Sequence, residues 1–267
     1  MSTEVKGLNW YTWTAIFAAF AAMVVLYSFY PSDEREEALE TLDSIAELQH
    51  EVLENSTNEA GALAINDVPI EQTSDATGEI GKLELLLRGL TQTEVGLTNE
   101  FMREMNSAGF QELFVPEILR QEGGAAKSLE NITILKKTVE KHRARYFEFY
   151  DGIPNVARES DMLETTQSQF IKGYREAYEA KHRLFSKRWD FQLEILDIYS
   201  GMLKVLEADS GKWSIEGGQM LFYDDSLREM YNTQFEALTQ LKADQVKLQQ
   251  EMNALNQNAI ERTKSKL

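Results

Sequence analysis

The chain of 267 residues carries 27 lysines and arginines against 44 aspartates and glutamates, a net charge of −17, and no cysteine. That charge excludes nucleic-acid binding, because phosphates would be repelled and few counterions released. The missing thiols exclude a disulfide framework, Cys-ligated zinc and a thiol nucleophile.

Residues 1–7 form a short tail, and residues 8–30, Leu8 to Tyr30, contain no charged side chain. As a helix this stretch reaches roughly 34 Å, enough to cross a hydrocarbon core of about 30 Å. Trp10, Tyr11 and Trp13 gather at its entry and Tyr27, Phe29 and Tyr30 at its exit, an aromatic belt at each interface. A cleaved signal peptide would need a basic leader and a small-residue site near its end. Only Lys6 precedes the span, and its alanines lie in the middle. The reading is therefore an uncleaved single-pass anchor. Lys6 and the terminal amine face only Arg35, so the positive-inside rule puts the N-terminus inside and the following domain on the periplasmic or extracellular side. Ala15, Ala18, Ala19 and Ala22 are candidate small-residue contacts for a second membrane helix.

Residues 31–267 read as a soluble helical-bundle domain. Its start is acidic: residues 31–60 hold ten acids against Arg35, a net −9. Ser32 or Asp33 caps a helix whose apolar side is Leu39, Leu42, Ile45, Leu48 and Val52. Residues 55–77 form a polar connector. A second helix, beginning at the Ser74–Thr77 cap signals, carries Leu83, Leu86, Leu87, Leu90, Leu97, Phe101 and Met105. Residues 106–125 read as a corner built on Gly109, Pro116 and Gly123-Gly124. A third helix follows with Leu129, Ile132, Leu135, Val139, Tyr146, Phe147 and Tyr150. The sequence Asp151-Gly152-Ile153-Pro154 predicts a turn that ends it, since proline disfavours a helical predecessor. So short a connection makes the next helix antiparallel to it.

That next helix organises the domain. From Leu163 to Leu206 every seventh residue is apolar: Leu163, Phe170, Ala177, Leu184, Phe191, Ile198 and Val205. A companion column adds Ile171, Tyr178, Phe185, Tyr199 and Leu206, a stripe wide enough to face more than one neighbour. Residues 209–225 form a hairpin-like loop, with Trp213 and Ile215 across a Gly217-Gly218 turn from Met220 and Phe222. A lone hairpin is marginal in water, so Trp213 and Phe222 should lie on the bundle. Asp224-Asp225-Ser226 then cap a coiled-coil-like helix over 226–264, in which Leu241, Leu248 and Leu255 make a narrow seam suited to another chain.

Residues 125–206 run against the overall charge, with fourteen basic and twelve acidic side chains, a net +2. Lys136, Lys137, Lys141, Arg143, Arg145, Lys181, Arg183, Lys187 and Arg188 suggest a basic stripe. Within it Lys141, Arg145, Lys181 and Arg188 are the candidates to receive an acidic ligand.

No catalytic constellation appears. Glu47-x-x-His50 and Glu179-x-x-His182 have the spacing of a di-iron site, but each pair aligns with the polar side of its helix. His142 and His182 read as partly buried aromatic-like residues rather than general bases. There is no Gly-x-Ser-x-Gly elbow and no phosphate-cradling loop. The expected fold is all-α: one transmembrane helix, then an elongated antiparallel bundle with one very long helix and a small β-hairpin. No metal or cofactor is expected. The expected function is a non-enzymatic, membrane-anchored scaffold or interaction subunit with a protein partner or a second copy. The competing class is a ligand-sensing accessory bundle that signals through a partner membrane protein.

Overall fold

A computed structural model describes residues 73–74, 77–216 and 219–264. The elements are α1 (Gly78–Ser107), a 3₁₀ turn (Phe110–Glu112), α2 (Pro116–Leu119), α3 (Gly124–Glu159), α4 (Glu164–Ala208), β1 (Trp213–Glu216), β2 (Gln219–Phe222) and α5 (Asp225–Lys264). Of the described residues 84% are helical, packed in the manner of a bundle. The predicted anchor over 8–30, the first acidic helix and most of the connector lie outside the described residues. Among those that are described, no helix is long and apolar enough to cross a membrane.

The described chain divides into two compact units, and α1, α3, α4 and α5 each supply a part to both. One unit combines residues of Gly7–Glu100 with Ala144–Phe185 and Gln249–Leu267; the other combines Phe101–Arg143 with Ser186–Leu248.

The first unit is filled with aromatic rings. The long helix was expected over Leu163–Leu206 and spans Glu164–Ala208, 45 residues. Its column of Phe170, Tyr174 and Tyr178, four residues apart and so stacked along one helix face, forms two stacked ring pairs at 6.2 and 5.7 Å. Tyr150 of α3 meets Phe185 edge-on at 4.8 Å. Polar groups in this interior bind one another: the Tyr150 hydroxyl donates to Glu94 at 2.5 Å, and Tyr146 shares a hydrogen bond with Thr98. Tyr146 is four residues before Tyr150 and Thr98 four after Glu94, so α1 and α3 are antiparallel.

Two sequence expectations are corrected here. Asp151–Pro154 does not end the third helix, which continues to Glu159 with Pro154 inside it. Proline removes the N–H that would bond the carbonyl four residues back, that of Tyr150. The Tyr174 hydroxyl donates to that carbonyl at 2.7 Å, replacing the lost partner from the neighbouring helix. Buried Ile153 and Ala157 hold the extra turn in the core. The connection comes later, between Glu159 and Glu164, where the Gln167 amide donates to the Ser160 and Met162 carbonyls. Leu163, predicted to open the apolar column, is 60% exposed. It precedes the helix, and its N–H donates to Glu79 at 2.6 Å instead.

In the second unit the corner and the hairpin fall as expected. Gly109 and Gly123 have φ of 78° and 75°, where a side chain is strained. Gly124 admits no Cβ, which would sit 2.0 Å from the Ile118 carbonyl oxygen. Pro116, read as a helix breaker, instead starts α2, where its missing N–H costs nothing. The two strands pair antiparallel with Trp213 opposite Phe222. Buried Trp213 donates its indole N–H to the Leu206 carbonyl at 2.8 Å, and Phe222 lies 5.1 Å from the ring of Tyr231. The Arg120 guanidinium fastens the hairpin through the Ile215 carbonyl at 2.5 Å. Asp224 caps α5 by accepting the Leu227 N–H at 3.0 Å, which with Lys212 holds its carboxyl below the usual range.

Candidate functional site

Helix periodicity builds a groove that collects lysines in the second unit. On α3, residues 129, 132, 133, 136 and 137 fall on one face because they are three or four apart; on α4, residues 200 and 204 do the same. Two ion pairs fix how these faces meet: Arg143 with Asp190 at 2.7 Å, and Lys136 with Asp197. Between them α3 steps back seven residues while α4 steps forward seven, so the helices are antiparallel in constant register. Continuing that register brings Thr133 toward Ser200 and Leu129 toward Lys204. There the structure has a groove of about 450 Å³ lined by Leu129, Ile132, Thr133, Lys136, Lys137, Ser200 and Lys204.

Its chemistry is mixed. Ile132 is buried and supplies an apolar floor with half-buried Leu129. The Thr133 hydroxyl donates back to the Leu129 carbonyl. Lys136 is committed to Asp197, whereas Lys137 and Lys204 make no ion pair among the described residues.

The four residues chosen from sequence as an acidic-ligand stripe behave differently. Lys141 is bound by Glu104 at 2.5 Å, and Arg145 by Glu100. Lys181 is only 3% exposed, so it is not part of a solvent-facing stripe at all; burial pulls its ammonium down to a pKa of about 8. Its place in the heptad explains this, since it lies four residues from both Ala177 and Phe185 on the buried face. Arg188 is half-buried. Sequence reasoning reached Lys136 and Lys137 but missed Ser200 and Lys204. Their four-residue spacing is visible in the chain, but the register that sets them against α3 is not.

His142, expected to be aromatic-like, is fully buried with its ring 5.2 Å from Phe101. Its Nε2 is 3.2 Å from a Glu104 oxygen. The bond from Lys141 and then the contact with His142 hold the Glu104 carboxyl below its ordinary range. His182 is exposed, although its ring borders Phe147 at 5.2 Å and Tyr178 at 5.3 Å. Glu179 is exposed beside it, as expected of solvated charge; Glu47 and His50 lie outside the described residues.

The candidate partner seam is also altered. Leu241 and Leu248 are 8% and 2% exposed within this one chain, and Leu255 is half-buried. The cover is intramolecular: α5 runs back along α4, with Gln234 against Gly201 and the charge of Lys187 acting on Asp244. Ala15, Ala18, Ala19 and Ala22 lie outside the described residues. No family model, curated protein or solved structure matches this chain.

Proposed function

We propose that this protein is a non-enzymatic, single-pass membrane-anchored helical bundle that serves as a scaffold or interaction subunit of the cell envelope, with its bundle on the periplasmic or extracellular side. The observation that carries the reading is the charge-free, aromatic-flanked stretch Leu8–Tyr30 placed directly before a large bundle-forming domain. A second feature agrees with it. Two buried polar contacts described above join helices: Glu94 accepts from the Tyr150 hydroxyl, and the Tyr174 hydroxyl donates to the carbonyl left by Pro154. Cross-links of this kind suit a bundle that is held at a membrane and contacted from outside.

The absence of native cysteine makes the topology directly measurable. Single thiols introduced as Ser32→Cys and Ser265→Cys should both react with a membrane-impermeant maleimide on intact cells. The protein should also stay with the membrane after an alkaline carbonate wash. Recovery in the soluble fraction, or labelling only after lysis, would refute the anchored, outward-facing reading. In mild detergent the full chain should run either as an oligomer or with a stoichiometric envelope protein. A strictly monomeric species with no partner would count against the scaffold role.

A further inference from the structure

The charge pattern of α3 and α4 departs from that of the whole chain. Several basic side chains of α3 are neutralised by a neighbouring helix: Lys136 by Asp197, Lys141 by Glu104, and Arg143 by Asp190, with a further hydrogen bond from Arg143 to the Ser186 hydroxyl. Among the described residues Lys137 and Lys204 have no ion pair, one from each helix, and both line the same groove. We propose that this groove is a binding site for a small organic anion, a phosphate or carboxylate carried on an apolar body.

Each part of such a ligand has a counterpart. Lys137 and Lys204 supply two ammonium groups, one from each helix, and Ser200 adds a hydroxyl to the same lining. Asp197 is paired with the groove's own Lys136, which offsets its opposition to an incoming anion. Glu130, Glu140, Glu194 and Glu207 are exposed on the same helices but do not line the groove. Leu129 and Ile132, with the aliphatic stems of the lysines, offer the apolar body a surface to cover. A volume of about 450 Å³ suits a drug-sized molecule. Because the groove is open and its lysines are hydrated, the attraction is local and screened by salt.

This inference stands apart from the anchoring proposal, because thiol labelling reports sidedness and says nothing of the groove. The test uses the full chain in nanodiscs of phosphatidylcholine, with empty nanodiscs subtracted. Fluorescence titrations employ 1-naphthyl phosphate and 1-naphthoate as probes, with 1-naphthol and inorganic phosphate as the tail alone and the head alone. At least one naphthyl anion should bind saturably, and whichever binds more tightly identifies the head group. The pair Lys137→Glu and Lys204→Glu should weaken it at least tenfold, and Lys204→Gln alone about threefold. Lys127→Glu, on α3 outside the groove, should change it less than twofold. Circular dichroism matched to the parent establishes that each variant is folded. The proposal is overturned if neither naphthyl anion saturates, if Lys127→Glu weakens binding as much as the groove pair, or if 1-naphthol or inorganic phosphate binds as tightly as the whole probe.

Discussion

Replacing Tyr174 with phenylalanine tests how a proline sits inside a buried helix. Tyr174 and Tyr150 are each 1% exposed, so water has no access to the Tyr150 carbonyl once the phenol is gone. The hydroxyl at 2.7 Å is the donor that stands in for the N–H Pro154 lacks. Leaving a buried acceptor unsatisfied costs about 1–3 kcal/mol, so Tyr174→Phe should lose about that much stability. For a domain of this size the loss corresponds to a fall in Tm of roughly 2–4 °C per kcal/mol. The decisive measurement is a double-mutant cycle with Pro154→Ala, which restores a backbone N–H aimed at the same carbonyl. Urea unfolding of the full chain in mild detergent, followed by circular dichroism, gives the four stabilities. In the Pro154→Ala background Tyr174→Phe should cost less than about 0.5 kcal/mol, because the carbonyl then has its own helical partner. Equal costs in both backgrounds would refute the compensation and return Tyr174 to the role of a packed ring.

Other outcomes follow from the same interior. Tyr150→Phe removes the donor to Glu94 and should cost about 1.5–3 kcal/mol in the same titration, since the acceptor is a buried acid. Lys181 binds its proton less tightly when folded, with a pKa of about 8 against 10.5 for the free side chain. The unfolded chain then holds more protons between these values, so the penalty of about 3 kcal/mol applies in full below pH 8 and fades as pH rises toward 10.5. Lys181→Met should therefore stabilise the protein at pH 7, and its advantage over the parent should shrink in melts taken from pH 8 to 10. A constant advantage across that range would contradict the shift. Two glycines should answer oppositely to alanine. Gly96 lies exposed within α1 with open space around it, and Gly96→Ala should gain about 0.5–1 kcal/mol. Gly124→Ala forces a carbon onto the Ile118 carbonyl and should cost about 1–3 kcal/mol or more, read from the urea midpoint.

The fold was legible wherever periodicity carried the information. Phe170, Ala177, Leu184 and Phe191 recur at seven-residue steps and all are buried, so one long helix could be read over nearly its observed length. The hairpin was legible because a glycine pair separates two short runs of alternating residues, and Trp213 is buried as its exposed alternative would be costly. The same rules failed at Pro154. A local rule counts the N–H that proline lacks but cannot see a hydroxyl supplied by a residue twenty positions later. Leu241 and Leu248 failed in a related way: their spacing shows that a seam exists, and the question of which surface covers it depends on where α5 folds back.

By itself the chain determined its helices, the antiparallel order of its neighbours, its acidic character and the charge-free stretch at 8–30, because each is a property of residues close in sequence. The tertiary structure alone decided which charges cancel. Lys141 and Lys137 share one face of α3, yet one meets Glu104 and the other lines a groove beside Lys204, because each meets whatever the neighbouring helices place at its own level along the axis. It also decided that Lys181 is buried rather than displayed, since the width of the apolar face is set by how many helices pack against it.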